Sequence, residues 1–188
     1  MPDPQLARVD PQDMPPALKT AHEKSMELRG DGTFFEVFAQ HPDLYRWYTE
    51  SFYGEVFHGG LVERRIKELV RLRLSNTHGC RFCNQGNRAD AIEAGLNDSE
   101  VDALADFENS TFTDREKAAL RLADEMVLTN AGGTLSGPLY EDLRQHFSDA
   151  EILELGLLMG ILSGVAKFLF AFDLVEKEAD CPFVPDAG

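Results

Sequence analysis

Apolar side chains along this chain recur at the three- and four-residue spacing of helices. In the segment Val62–Asn76, the residues Ile66, Leu69 and Val70 fall on one side of a helix. No segment shows the every-second-residue alternation of apolar and polar side chains that is typical of a strand. The pattern therefore predicts an all-α fold.

Helix-starting and helix-ending residues predict the bounds of the other helices. Thr113 with Glu116, and Ser148 with Glu151, have the spacing of capping boxes. The other predicted helices are Pro16–Leu28, Pro42–Phe52, Cys80–Ala94, one that is capped by Asn97 or Asp98, Asp114–Leu128, Gly137–Phe147 and a last helix from Ser148 to near Val175. Five prolines among the first 16 residues predict an extended arm over residues 1–15, followed by a single helical domain over residues 16–188.

The last predicted helix is apolar almost all the way round. Its stretch from Leu155 to Ala166 has 12 residues and no charge, whereas a membrane span needs about 20. We therefore expect this helix to be buried on all sides. Gly156, Gly160 and Gly164 give it a smooth face that another helix can approach closely.

Aromatic residues crowd the first third of the chain, with nine of them between positions 34 and 57. We interpret them as core or subunit packing rather than as a cofactor cage. One domain of 188 residues cannot cover both these aromatic side chains and the last helix. The sequence therefore predicts a homo-oligomer.

The composition narrows the classes of partner and compartment. The chain has 33 acidic and 18 basic residues, a formal net charge of −15, so its surface repels nucleic acid and anionic lipid. The first 16 residues contain no apolar run of the kind that a secretory signal needs, and three cysteines are too few for an extracellular disulfide framework. We expect a cytoplasmic protein with no nucleic-acid or membrane partner.

Cys80 and Cys83 carry the candidate chemistry. They stand at the predicted start of a helix, where free backbone N–H groups and the helix dipole favour a thiolate. At this separation the two sulfurs share a face within disulfide range, so a sulfenic acid on one can be captured by the other. Asn87 lies one turn beyond Cys83 on the same face. This is the minimal arrangement of a dithiol redox catalyst.

Glu68 is the candidate carboxylate. It lies about as far before the helix break at residues 77–79 as Asn87 lies after that break. If the two helices form an antiparallel hairpin, Glu68 and Asn87 meet at one level, in the same small volume as the two thiols. The position of Glu68 at the edge of an apolar stripe predicts partial burial and a raised pKa for its carboxyl group.

These residues resemble the redox branch of the alkylhydroperoxidase D and carboxymuconolactone decarboxylase superfamily. That branch has a Glu, a Cys twelve residues later, a second Cys after three more, and a His after a further four. Glu68, Cys80 and Cys83 occupy the first three of these places. The resemblance is strongest over residues 62–96, the core motif, and looser over residues 147–168. It implies an all-helical domain that assembles as trimers or hexamers.

The resemblance also implies a role for each residue. Cys83 attacks a peroxide, Cys80 resolves the resulting sulfenic acid as a disulfide, and Glu68 anchors a proton relay. The relay His of the family is Asn87 here. An amide can orient a water molecule, but it takes up no proton near neutral pH. His78, two residues before Cys80, is a candidate replacement base, and the alternative is an exposed histidine in a turn.

The leading hypothesis is a thiol-dependent peroxidase with no cofactor and no metal. It would reduce a small-molecule hydroperoxide through a Cys80–Cys83 disulfide and be recharged by a dithiol or a protein reductant. The alternative enzyme is a lactone decarboxylase or isomerase of the sister branch, in which acid–base groups work without cysteines. The alternative outside enzymes is a non-catalytic helical oligomer whose cysteines are vestigial or regulatory.

Three further alternatives concern the neighbourhood of the cysteine pair. A structural zinc site needs four N or S ligands, and His78 is the one imidazole nearby in sequence, with Cys181 about a hundred residues away. We interpret Cys181 as a bystander thiol. Cys80 and Cys83 could also serve as small buried apolar residues. The basic side chains beside Glu68 could favour a thiolate or attract an acidic substrate. We favour a solvated face or subunit salt bridges for these residues, which are Arg64, Arg65, Lys67, Arg71 and Arg73.

Overall fold

A computed structural model describes residues 1–132 and 134–183. These residues form helices and no strand, so the all-α prediction is confirmed for them. The α-helices are α1 (Pro16–Arg29), α2 (Thr33–Phe38), α3 (Pro42–Arg46), α4 (Arg64–His78), α5 (Arg81–Glu93), α6 (Asp98–Ala103), α7 (Asp114–Glu125), α8 (Gly137–His146) and α9 (Asp149–Ala171). Short 3₁₀ segments lie at Pro11–Asp13 and Leu104–Asn109. The last five residues of the predicted domain, 184–188, lie outside the described residues.

The capping residues act where the sequence predicts them. The hydroxyls of Thr113 and Ser148 accept hydrogen bonds from the backbone N–H groups three residues later, and both capping boxes are complete. Asn97, not Asp98, caps α6. α1 ends at Gly30, whose φ of +70° favours glycine. The predicted helix starts are therefore correct to within one or two residues.

The predicted helix Pro42–Phe52 is longer than expected and changes its geometry. After α3, the segment Trp47–Phe57 continues with π-type turns, and the N–H of His58 donates to the carbonyl of Tyr53. Bonding to the fifth preceding residue changes which side chains share a face. It brings the rings of Tyr48 and Tyr53 to 5.1 Å between centroids. These two tyrosines belong to the site described below.

Helix α4 lies at the centre of the bundle and packs against α5, α7 and α9. Ile66, Val70 and Leu74 face the apolar side chains of α7 and α9. Leu69 and Leu72 face the opposite way, toward α5 and the segment after it. Because α4 is covered on both sides, five of its polar side chains are also buried: Lys67, Glu68, Arg71, Ser75 and His78.

The prediction that the last helix is buried on all sides is wrong for a single chain. Leu155 and Leu158 of α9 are wholly buried, whereas Leu153 and Leu157 are 71% and 61% exposed. By length and composition α9 could cross a membrane, but the core helices of soluble proteins have the same property. The buried face of α9 packs on α4, α7 and α8. The bundle of described residues covers α9 from one side, which leaves the opposite face bare.

The N-terminal arm, residues 1–15, contains no α-helix and includes the short 3₁₀ segment Pro11–Asp13. Several hydrogen bonds hold it against the bundle, and two of them come from its backbone N–H groups. The N–H of Val9 donates to the carbonyl of Glu36 at 3.1 Å, and the N–H of Asp3 donates to the carboxylate of Asp173 at 2.8 Å. The arm therefore closes over α2 and the end of α9.

Candidate functional site

Cys80 and Cys83 form a disulfide at the start of α5, with Cα atoms 5.2 Å apart. Cys80 is the N-cap residue, and its Sγ accepts a hydrogen bond from the N–H of Cys83 at 3.2 Å. Cys80 is 1% exposed, whereas Cys83 is partly exposed. Cys83 is therefore the sulfur that an incoming molecule can reach, and Cys80 is the sulfur behind it.

The C-terminal segment holds the turn that precedes the pair. Gly79 ends α4 with a φ of +65°, and a Cβ at this position would lie 2.6 Å from the Cα of Cys181. The buried Cys181 thiol donates to the carbonyl of His78 at 3.1 Å, and the N–H of Phe82 donates to the carbonyl of Glu176 at 3.2 Å. Cys181 thus helps to fix the start of α5 from behind.

A small inner cavity of about 60 Å³ lies beside the disulfide. Apolar side chains of α9 form one wall. The polar part of the wall consists of Tyr48, Tyr53, Arg71, Ser75, His78 and Asn87, together with both cysteines. A polar cavity of this volume suits a few water molecules rather than an organic substrate.

A wider outer cleft of about 230 Å³ opens on the other side of Cys83. Aromatic side chains dominate its wall, among them Phe34, Phe35, Tyr45 and Phe82. Cys83 and Arg71 line both the cleft and the inner cavity. The interpretation of the first-third aromatic residues as packing was therefore incomplete, because several of them form a surface that a ligand can contact.

Arg71 is a charged residue that lines both the inner cavity and the outer cleft. Its side chain is 7% exposed, and its Nη2 donates to the carboxylates of Glu68 and Asp90, at 2.8 Å for Asp90. These carboxylates and the neighbouring Tyr53 raise the pKa of the guanidinium, against the opposing effect of burial, so it stays charged. The buried Nε has no hydrogen-bond partner.

Glu68 is wholly buried, more deeply than the sequence predicts. Burial raises the pKa of its carboxyl group, and the charges of Arg71 and Arg64 oppose that shift. The predicted direction of the shift is confirmed. Glu68 does not line the cavity of the thiols, however, and Arg71 links it to that cavity. The expectation that Glu68 and the thiols share one volume is wrong, because the longer Arg71 side chain fills the intervening space.

Asn87 lies on the wall of the inner cavity, as its position one turn beyond Cys83 predicts. Its Nδ2 donates to the hydroxyl of Ser75 at 3.0 Å. It makes no hydrogen bond with Glu68. The expected meeting of Glu68 and Asn87 does not occur, and the amide is held by α4 through Ser75.

His78 also lines the inner cavity, but it is 1% exposed rather than an exposed turn residue. Its Nε2 accepts a hydrogen bond from the N–H of Leu128 at 3.0 Å, which assigns the proton of the neutral ring to Nδ1. Burial lowers the pKa of His78 to about 4. A neutral imidazole whose lone pair is already engaged is poorly placed to act as the replacement base.

The five basic residues of the α4 face all pair with carboxylates of the same chain. Lys67 is wholly buried, with its Nζ 2.6 Å from Glu154. The interpretation of this face as solvated is therefore wrong for Lys67 and Arg71, whereas the other three side chains stay 21–36% exposed. Salt bridges between subunits stay a prediction. Arg71 is the one among the five that lines the cavities beside the cysteines. The remaining three are Arg64, Arg65 and Arg73.

Sequence reasoning missed Asp90, Tyr48, Tyr53 and Arg29 as residues of the site. Asp90 stands three residues after Asn87, so the helical spacing that identified Asn87 would also have found Asp90. The tyrosines share a face because of the π-type turns, which a 3.6-residue period does not predict. Arg29 comes from α1, and no spacing within the core motif points to it.

Comparison with known proteins identifies sequences that are similar to this chain. Residues 42–125 match the model of the carboxymuconolactone decarboxylase family. An uncharacterized protein of Mycobacterium tuberculosis is 38% identical over 89 residues, which are 47% of this chain and 31% of that protein. The match thus spans about a third of the relative's length.

Two solved structures share the fold. A protein of unknown function from Agrobacterium tumefaciens, described as an AhpD-type antioxidant defence protein, is 25% identical with a TM-score of 0.62 over 72% of this chain and 91% of its own. A cysteine-to-alanine variant of the debrominase Bmp8, in complex with 2,3,4-tribromopyrrole, is 17% identical with a TM-score of 0.72 over 94% of this chain and 93% of its own. At that identity the likeness to the debrominase is one of fold.

Proposed function

We propose, from the confirmed resemblance of this chain to the alkylhydroperoxidase D and carboxymuconolactone decarboxylase superfamily, that it is a thiol-dependent oxidoreductase that reduces hydroperoxides. The observation that carries the proposal is the placement of Cys83. This partly exposed sulfur faces the outer cleft, is bonded to the buried Cys80, and shares its cavity with the charged Arg71. A substrate reaches one sulfur, and the second sulfur is within bonding distance of the first.

The reaction starts from the reduced pair. The Cys83 thiolate attacks one oxygen of the hydroperoxide, an S–O bond forms while the O–O bond breaks, and the departing alkoxide takes a proton from water to become the alcohol. The Cys80 thiolate then attacks the Cys83 sulfur, an S–S bond forms while the S–O bond breaks, and the departing hydroxide is protonated to water. A dithiol or a protein dithiol returns two electrons by thiol–disulfide exchange and becomes a disulfide. A reducing cytoplasm, the predicted compartment, would supply such a donor.

In this proposal Arg71 performs part of the role that the relay histidine has in the family. Its fixed positive charge lowers the free energy of the Cys83 thiolate and of the departing alkoxide, because both are anions beside a buried cation. The Arg71 guanidinium and the Asn87 amide line the inner cavity, and we propose that water in this cavity delivers the protons. In this scheme Glu68 and Asp90 orient Arg71, and His78 supports the cavity wall.

A count of free thiols tests the proposal. Reduced protein has three cysteines, and one equivalent of cumene hydroperoxide should remove two thiols and leave Cys181. Cys83→Ser should lose none, and Cys80→Ser should accumulate a sulfenic acid that dimedone traps. Cys181→Ser is the matched control, because a hydroxyl keeps a donor for the His78 carbonyl, and it should lose its two remaining thiols at the wild-type rate. Retention of all three thiols in the wild type, or undiminished peroxide turnover in both Cys80→Ser and Cys83→Ser, contradicts the proposal.

We also propose that the bare face of α9 packs against a second copy of this chain. Leu153 and Leu157 are exposed there, and a Cβ built at Gly156 or Gly164 meets no atom within 4 Å. A continuous apolar face of this kind is costly to leave in water. Sedimentation should show a trimer or hexamer that Leu157→Glu dissociates, while the control Met26→Glu on α1 leaves it assembled. A wild-type monomer at micromolar concentration contradicts this.

A further inference from the structure

Arg29 differs from every other arginine of the described residues in its electrostatic surroundings. The chain has twelve arginines, and eleven of them lie within 4.0 Å of a carboxylate oxygen. Arg29 has no such partner among the residues that the structure describes. In a chain with 33 acidic residues, a partly buried arginine without a carboxylate partner is unexpected.

The side chain of Arg29 is nevertheless held in place. Its Nε donates to the carbonyl of Phe82 at 3.1 Å, its Nη1 donates to the hydroxyl of Ser25 at 3.3 Å, and its Cζ lies 4.4 Å from the centre of the Phe82 ring. Gly86 leaves room for the guanidinium, since a Cβ at that position would lie 1.9 Å from Nη2. Nη2 makes no hydrogen bond within the described residues, so its two N–H groups and the second N–H of Nη1 have no partner there.

The guanidinium of Arg29 forms part of the wall of the outer cleft, as does Cys83. Asp90 lies in the same wall, but its carboxylate is bound to Arg71. The rest of the wall is largely aromatic, with Phe35, Tyr45 and Phe82 among its members. The cleft therefore combines flat apolar surfaces with two arginines: Arg71, which is paired with Asp90, and Arg29, which forms no ion pair within the described residues.

We propose that the outer cleft binds a planar aromatic compound that carries a carboxylate, and that Arg29 binds this carboxylate. Paired N–H groups of a guanidinium match the two oxygens of a carboxylate, and aromatic walls match a flat ring. The proposal rests on the proposed function and sharpens it, because the substrate is then an aryl hydroperoxide with a carboxylate group. The peroxide end would point to Cys83, and the reaction itself is unchanged.

Binding to the oxidised protein tests the charge preference without any turnover. The probes are 4-isopropylbenzoate and its neutral analogue 4-isopropylbenzamide, measured by calorimetric titration. We expect the benzoate to bind about tenfold more tightly than the amide. Arg29→Gln should abolish this preference while the amide binds as before, and Arg29→Lys should keep part of it. Arg46→Gln, which removes an exposed charge outside the cleft, is the matched control and should keep the full preference.

Two outcomes separate this inference from the proposed function. If the benzoate binds through Arg29 but no hydroperoxide removes thiols, the proposed function fails and the carboxylate site stands. If cumene hydroperoxide oxidises Cys83 but wild-type protein binds benzoate and benzamide equally, or Arg29→Gln keeps the preference, the inference is overturned. A hydroperoxide with a para carboxylate should also oxidise Cys83 about tenfold faster than cumene hydroperoxide at low concentration, and Arg29→Gln should equalise the two rates.

Discussion

Helix α4 buries two cations one turn apart, and their surroundings differ. The Nζ of Lys67 lies 2.6 Å from a carboxylate oxygen of Glu154 and 2.8 Å from the carbonyl oxygen of Val56. The same carboxylate accepts hydrogen bonds from the N–H groups of Leu61 and Val62. This pair joins α4, α9 and the loop that connects the π-type turns to α4. It lines neither of the two cavities beside the cysteines.

Arg71 is about as deeply buried, but its hydrogen bonding is incomplete. One nitrogen binds both Glu68 and Asp90, whereas Nε has no partner and the side chain lines both cavities. A buried donor without a partner costs about 1–3 kcal/mol, and native proteins tend to carry such costs at functional sites. The comparison teaches that Lys67 is part of the scaffold, while Arg71 is available to a ligand or to water.

Lys67→Met tests the structural side of this comparison and has the largest expected effect. The free energy of unfolding should fall by about 3–5 kcal/mol, because Glu154 keeps its burial and loses its cation. Urea denaturation measures this loss. The double variant with Glu154→Gln should recover most of it. Thiol oxidation by hydroperoxide, measured on folded protein, should keep its wild-type rate, and a large fall in that rate would erase the distinction between the two cations.

Arg71→Gln tests the chemical side. The second-order rate constant for oxidation of Cys83 should fall about 100-fold, because a preorganised charge is removed from the developing anions. Stopped-flow mixing of reduced protein with cumene hydroperoxide measures the rate constant. Arg73→Gln, two residues along α4 and bound to Asp124, is the control and should react like the wild type. Wild-type reactivity of Arg71→Gln would show that the charge has no part in the reaction.

His78 sharpens the comparison, because it is a neutral side chain on the cavity wall that Arg71 shares. Its pKa is about 4 in the folded state against 6.5 for the free side chain, so the unfolded chain takes up the proton first as the pH falls. Its contribution to stability is therefore complete above pH 6.5 and is lost progressively toward pH 4.

Urea denaturation at several pH values measures this contribution. Between pH 6.5 and pH 5 the wild type should lose about 2 kcal/mol through His78. His78→Gln should flatten that slope, although His58, whose pKa burial also lowers, adds a smaller slope of the same sign. His41→Gln, which removes an exposed imidazole, should keep the wild-type slope. An unchanged slope in His78→Gln would show that His78 is not buried in its neutral form.

Asn87→Ala has the smallest expected effect. Loss of the hydrogen bond to Ser75 should cost about 1 kcal/mol of stability. The rate of Cys83 oxidation should change by less than about threefold, because Arg71 supplies the charge and water supplies the protons. The same stopped-flow measurement checks this, with Asn84→Ala on the same helix as the control. A fall comparable to that of Arg71→Gln would place Asn87 in the proton transfer.

The comparison also shows which inferences a linear pattern supports. The helical periodicity of residues 62–76 predicted α4, and the cysteine spacing predicted the shared face of Cys80 and Cys83, which the structure confirms. The same pattern grouped Lys67 with Arg71 as members of one basic face. It could not separate them, because their partners Glu154 and Asp90 lie on two different helices.

The errors have physical reasons of the same kind. Glu68 was expected beside the thiols because helix positions were compared by level alone, and the volume of the Arg71 side chain was left out. His78 was interpreted as a turn residue that is exposed or acts as a base, yet Leu128 and the C-terminal segment cover it from distant parts of the chain. Contacts between distant segments decide burial, and burial decides the charge state of an imidazole.

Local rules along the chain settle the helical class, the helix starts and the placement of two thiols at one of those starts. They do so because capping, periodicity and the spacing of the cysteine pair involve residues within one or two turns of each other. The packing of distant helices decides the rest: which sulfur is exposed, which cation lines a cavity, and that Arg29 pairs with no carboxylate of the described residues. These properties depend on the volumes and charges that α1, α5 and α9 bring to one place, and no single segment carries that information.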